Sequence, residues 1–287
     1  MSQHKFELAP KTIAGVPVSA MLSYVPSSEE APTHYTYEPP AGIPWENVDY
    51  EQRMVSIADA RATGASLEVE GFELWSAPTS VSDFTDKSLV ESVYYEEMKE
   101  LVRKATGGRD VYIFDHLLRA REPDGQPLNF GRRSGKSGAA PANGRIHNDY
   151  TVHSGIRRIR AVLDRFEVPE EKRRYSIINV WRSIGEPEID TPLALCDSSS
   201  VSAMDLVEGR VVYPKRDGWI YVLNYSPKHR WNYFSNMTRD EVILFKQFDT
   251  EISGATRFTP HSAFQNPIDV EKQRPRRSIE MRCLVAY

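Results

Sequence analysis

Tyr175-Ser176-Ile177-Ile178-Asn179-Val180-Trp181 decides the fold class. Branched and aromatic side chains dominate it, and such residues fit a pleated, half-buried surface, so the stretch reads as a strand. Working outward, similar runs follow at short intervals: Pro192-Leu193-Ala194-Leu195-Cys196, Trp219-Ile220-Tyr221-Val222-Leu223, Arg230-Trp231-Asn232-Tyr233-Phe234, Val242-Ile243-Leu244-Phe245, and Ser278–Val285 at the end. Short strands separated by turn residues point to a sandwich or barrel rather than a parallel βαβ sheet. Upstream the pattern is mixed. Ser88-Leu89-Val90-Glu91 resembles a capping box, apolar residues then recur at three and four, and Gly107-Gly108 stops a helix predicted over 88–107. Val111-Tyr112-Ile113-Phe114 is a short strand, and residues 154–166 are a second amphipathic helix.

Composition excludes several classes. The 287 residues are 40% hydrophobic and 26% charged with a net charge of −4, which fits a globular protein and offers no basic field for nucleic acid or anionic membrane. The two cysteines cannot form a disulfide framework. With no signal peptide or membrane span legible, the expected location is cytoplasmic. Five prolines in residues 26–48 predict an extended arm, so the chain divides into an arm over 1–54 and one domain over 55–287; such an arm suits a homodimer. Gly131-Arg132-Arg133-Ser134-Gly135-Lys136-Ser137-Gly138 nearly spells a phosphate-binding loop. Its first glycine is one residue too close, and no strand precedes it, so it reads as a mobile loop beside a site or as a solvated loop.

The candidate chemistry lies in histidine and carboxylate. His147-Asn148-Asp149 places an imidazole and a carboxylate at i and i+2, on one face of a strand, where both can bind one metal. A later histidine would complete a facial triad of two histidines and one carboxylate, which leaves positions open for co-substrate and dioxygen on Fe(II). His261, in Pro260-His261-Ser262-Ala263-Phe264, is the candidate, with His229 as its rival. His153 and His116 read as structural. Arg276 and Ser278 share a face of the last strand, as do Glu280 and Arg282. An arginine there suits a carboxylate ligand, since a guanidinium fork pairs with a carboxylate.

Taken together, Arg145–Thr151, Asn179–Arg182, Pro192–Asp197, His229–Phe234, Phe245–Asp249, Pro260–Phe264 and Arg276–Arg282 resemble a mostly fungal family, from about residue 55 to the end. The family includes gibberellin desaturase-like proteins, cephem-methoxylase-related proteins and a meroterpenoid endoperoxide-forming oxygenase. The resemblance implies a mainly β fold with flanking α: a double-stranded β-helix (jelly-roll, cupin-like) core. It implies Fe(II), 2-oxoglutarate and O2, with His147, Asp149 and His261 on the iron. Arg276, aided by Ser278, would hold 2-oxoglutarate, with Arg282 a rival anchor. Tyr150, Trp181, Arg182 and Tyr233 are candidate substrate contacts. The implied activity is hydroxylation, desaturation or endoperoxidation of a secondary metabolite such as a terpenoid or meroterpenoid. The alternatives are an iron oxygenase or isomerase that does not use 2-oxoglutarate, and an inactive jelly-roll binding protein.

Overall fold

Eight strands pass back and forth between two facing sheets as the chain runs from residue 110 to its end. Asp110–Ala120, Tyr175–Ser183, Glu241–Asp249 and Arg277–Ala286 belong to a six-stranded sheet. His147–Asn148, Leu193–Cys196, Trp231–Tyr233 and His261–Ala263 belong to a nine-stranded one. This winding is a double-stranded β-helix, the jelly roll. The computed structural model describes residues 6–12, 15–28, 30–120, 128–129, 141–171, 173–187, 189–253, 256–268 and 270–287. The glycine- and arginine-rich run at 131–138 lies outside the described residues.

Alternation along each strand sorts side chains into layers. On Tyr175–Ser183, Ile178 and Val180 face outward and join Ile279, Met281, Cys283 and Val285 of the last strand. That apolar face is covered by Met98, Leu101 and Val102 of the Tyr95–Thr106 helix. The neighbouring Trp181 faces inward, among Phe72, Leu193, Leu195, Ile243 and Phe245 between the sheets. Val18–Tyr24, paired antiparallel with Glu51–Asp59, forms one edge of the nine-stranded sheet, and its Val18, Leu22 and Tyr24 pack with Ala194, Trp231 and Phe264.

The first helix begins at Lys87, one residue before the predicted position. Its cap is Asp86, whose carboxylate accepts from the Leu89 N–H at 3.1 Å, rather than Ser88. A π turn over Val90–Tyr94 joins it to the main segment, and Gly107 ends it at φ 69°. Within residues 1–54, Val18–Tyr24 is a full strand, and Thr33–Tyr35 pairs parallel with Leu206–Tyr213. Most of the rest of the proline-rich stretch lacks regular structure.

The second helix, Val152–Arg165, is capped by Thr151 in a capping box with Ser154. It closes one end of the barrel through Ile159, Val162 and Leu163, packed with Tyr175, Ile177 and Phe248. Gly155 is the point of closest approach: a Cβ there would lie 2.6 Å from the Phe248 ring. Gly155→Ala is therefore expected to cost about 1–3 kcal/mol, as overpacking does. Urea denaturation of the metal-free protein reads it; an unchanged midpoint would mean that the helix shifts freely.

Candidate metal centre

His147 is the first residue of its short strand, and Asp149 follows just past the strand end. His261 opens the adjacent strand and is directly paired with His147. The two imidazole centroids are 4.3 Å apart, and His147 Nε2 lies 3.5 Å from Asp149 Oδ1. One ligand atom from each of His147, Asp149 and His261 falls within 4.8 Å of the others. The structure brings His261, and not His229, beside His147 and Asp149. His229 lies elsewhere, its Nδ1 3.2 Å from the Tyr24 hydroxyl and its Nε2 3.2 Å from Asp205.

The outer contacts prepare each ligand. His147 Nδ1 donates to the Arg145 carbonyl at 2.8 Å, and His261 Nδ1 to the Thr259 carbonyl at 3.2 Å. A carbonyl only accepts, so both Nδ1 atoms carry the proton and both Nε2 lone pairs are left for a metal. Asp149 is polarised the same way. Its Oδ2 accepts from Asn179 Nδ2 and Arg282 Nε, each at 2.9 Å, which leaves Oδ1 facing the histidines. Its backbone N–H donates to Gln247 Oε1 at 2.7 Å. Asn148, between the two ligands, points away and ties the motif to the distal histidine segment: its Oδ1 accepts from the Thr259 N–H at 3.1 Å.

Electrostatics agree with a cation site. Burial, reinforced by the neighbouring His261, pushes His147 down to about 3, and burial pushes His261 down to about 4. Both are neutral and free to ligate at physiological pH. Burial alone would raise the Asp149 carboxyl, but the Arg282 guanidinium overrides it and holds Asp149 well below the usual carboxylate range. The histidine shifts have a consequence for the metal-free protein. Below about pH 6.5 the unfolded chain takes up protons that the folded chain refuses until about pH 4, so stability falls by about 1.4 kcal/mol per pH unit for each imidazole. His34, pushed by burial down to about 2, adds in the same direction. Thermal melts of metal-free protein across this range are expected to show the fall; a flat midpoint would contradict it.

The last strand supplies the rest of the inner wall. Arg276 is 3% exposed; its Nε donates to Ser278 Oγ at 3.0 Å, its Nη1 to the Thr191 carbonyl at 3.1 Å, and its guanidinium lies 5.0 Å from the Trp181 ring centroid. Arg282 is committed to carboxylates: besides Asp149, it donates to Glu280 at 3.0 Å and Asp115 at 2.9 Å. Three inward-facing residues of Tyr175–Ser183 carry buried polar atoms with no hydrogen-bond partner among the described residues: Asn179 Oδ1, Trp181 Nε1 and Ser183 Oγ. Each would cost about 1–3 kcal/mol if left so, and together they fit an oxygen-rich ligand or water beside the triad. Trp181 also lines a cavity of about 270 Å³, with Leu193, Tyr233, Phe234 and Ile243 among its walls.

Of the candidate substrate contacts, Trp181 and Tyr233 reach this cavity. Tyr150 packs with Phe114 and Tyr175 next to Asp149. Arg182 does not join them: it projects from the opposite face of its strand, where Nε donates to the Tyr94 hydroxyl at 2.9 Å and Nη2 to the Ala77 carbonyl at 2.8 Å. Asn148, Asn179 and Gln247 escaped the sequence reading because isolated amides carry no spacing signal.

A jelly roll that brings two histidines and a carboxylate together fits the class of non-haem iron oxygenases. The comparisons narrow it. A family model described as the oxidoreductase/YMDC permease-like domain matches residues 22–286. Among the described residues no helix is long and apolar enough to cross a membrane. The hydroxylase/desaturase efuI of Hormonema carpetanum is 34% identical over 262 residues, covering 83% of this chain and 85% of efuI. The hydroxylase/desaturase CTB9 of Cercospora beticola is 32% identical over 261 residues, covering 83% and 78%. The iron and alpha-ketoglutarate-dependent endoperoxidase NvfI superposes with a TM-score of 0.78 at 24% identity, covering 94% of this chain and 98% of NvfI. The chain belongs to this family of fungal Fe(II)/2-oxoglutarate-dependent oxygenases.

Proposed function

We propose that His147, Asp149 and His261 hold Fe(II), and that Arg276 with Ser278 holds the distal carboxylate of 2-oxoglutarate. The reaction is the oxidation of a C–H bond in a small organic molecule of the secondary-metabolite class, by hydroxylation, desaturation or endoperoxidation. The observation that carries this reading is the convergence of three ligand atoms within 4.8 Å, with both Nδ1–H groups already tied to carbonyls. Iron with 2-oxoglutarate and dioxygen supplies the oxidising power, with succinate and carbon dioxide as co-products.

The protein's own part is placement. Arg145 and Thr259 carbonyls fix the tautomers of the two imidazoles. Arg282 and Asn179 hold Asp149 ionised and offer one oxygen. The guanidinium of Arg276 meets a carboxylate in a site where Trp181 excludes water from one side, which strengthens the pairing. Trp181, Tyr233 and Phe234 give an apolar wall to the adjoining cavity. The oxygenase chemistry is assigned to residues 55–287.

Succinate formation from 2-oxoglutarate, measured with and without iron in the absence of any further substrate, tests the proposal. Slow, iron-dependent turnover that disappears in His261→Ala but persists in His229→Ala is expected. Turnover lost in His229→Ala and retained in His261→Ala would overturn the ligand assignment.

A further inference from the structure

Among the described residues three guanidinium groups, those of Arg119, Arg276 and Arg282, face the inside of the barrel near the metal centre, and the proposed function uses two of them. Arg282 is matched by Asp149, Glu280 and Asp115, and Arg276 is the co-substrate anchor. The third is Arg119. It lies on Asp110–Ala120 and is directly paired with Ser278, as Leu117 is with Glu280 and Asp115 with Arg282. Directly paired residues of an antiparallel ladder point to the same face. Arg119 therefore shares the inner face with Ser278, Glu280 and Arg282.

Its contacts are sparse for a guanidinium. Nη1 donates to the Pro141 carbonyl at 3.0 Å, and no carboxylate lies within ion-pairing distance among the described residues. Glu280 is near enough to act on it but spends its hydrogen bonds on Arg282 and Asn179. Burial lowers Arg119 and outweighs the raising effect of Glu280 and Asp149. The group is also close enough to the centre to lower both His261 and Arg276. A half-buried guanidinium with no paired carboxylate carries a desolvation cost, and among the described residues four of its five N–H donors make no hydrogen bond.

2-Oxoglutarate has two carboxylates, and in the proposed function Arg276 would receive the one distal to the iron. We propose that Arg119 is a second anion anchor of the active site, and that the primary substrate carries a carboxylate that Arg119 receives. The inference rests on the proposed function and extends it to a substrate class: an apolar scaffold bearing an acid. Leu117, next in line on the same face, lies beside the bound acid as an apolar neighbour. Arg119 remains partly exposed, so an acid can reach it from solvent, whereas Arg276 lies deeper.

The test compares the iron-loaded parent with Arg119→Gln and Arg119→Lys, all anaerobic. The probes are cyclohexanecarboxylate, 1-naphthoate and decanoate, each against its methyl ester, titrated calorimetrically into protein saturated with 2-oxoglutarate. The parent is expected to bind at least one acid about tenfold more tightly than its ester, through charge-assisted hydrogen bonds. Arg119→Gln should erase that preference, Arg119→Lys should keep part of it, and 2-oxoglutarate affinity should stay within about threefold, since its anchor is untouched. Equal binding of acids and esters by the parent would overturn the proposal. So would a tenfold or greater loss of 2-oxoglutarate affinity in Arg119→Gln, which would make Arg119 part of the co-substrate site. Failure of the parent to bind 2-oxoglutarate would instead refute the co-substrate reading, and the acid–ester comparison on iron-loaded protein alone would still decide the role of Arg119.

Discussion

Arg276→Ala is expected to weaken 2-oxoglutarate binding by about a hundredfold or more while leaving iron content unchanged, since a charge-assisted pairing of about 1.5–3 kcal/mol per hydrogen bond is lost. Two arginines of the last strand could have served as anchor, and their contacts separate them. Arg282 already donates to three carboxylates, so drawing it to a ligand would break those pairs. Arg276 has a hydroxyl, a carbonyl and an aromatic face around it, and no acid within ion-pairing distance among the described residues. Burial, with Arg119 nearby, lowers it to about 9, against the raising effect of Glu280 and of Asp190, whose Oδ1 accepts from the Arg276 backbone N–H. Titration of iron-loaded protein with 2-oxoglutarate reads the effect. Unchanged affinity in Arg276→Ala would remove the assignment.

Arg282→Met is expected to act on the other side of the ledger, by destabilising the protein. It removes the cation that sits between Asp149, Glu280 and Asp115, and leaves Asp149 and Glu280 sharing the single Asn179 amide at 2.9 and 3.3 Å. Breaking a buried pair by removing one partner costs about 3–5 kcal/mol, because the other charge stays buried. Without Arg282 the Asp149 carboxyl rises toward or above its ordinary range, so iron must compete with a proton. The metal-free variant should unfold at much lower urea, and saturating Fe(II) should recover part of the loss, since a cation replaces a cation. A variant as stable as the parent would show that Asn179 alone suffices to hold the carboxylate.

Much of this centre was legible in the sequence because its parts obey simple periods. The last strand alternates without interruption, so Arg276, Ser278, Glu280 and Arg282 fall on one face and Ile279, Met281 and Cys283 on the other. His147 and Asp149 keep the two-residue spacing even though the strand stops between them. Less legible was anything set by pairing across the sheets. Arg119 becomes a site residue only through its register with Ser278, which no local pattern encodes. Arg182 misled for the converse reason: it neighbours Trp181 in sequence, and adjacent strand residues face opposite ways, so it ends beneath the helix with Tyr94. The strand Val18–Tyr24 lies just ahead of the proline-rich stretch that predicts an arm. Its alternation of buried and exposed residues makes sense only against Glu51–Asp59, some thirty residues on.

The most direct test of the iron and co-substrate assignment is an anaerobic titration of Fe(II)-loaded protein with 2-oxoglutarate, followed by visible absorbance. A weak charge-transfer band that grows to one 2-oxoglutarate per chain, and is absent in His147→Ala, is the expected result. Protein that binds iron through these residues and gives no band would contradict the account, and would make the chain an iron protein that does not use 2-oxoglutarate.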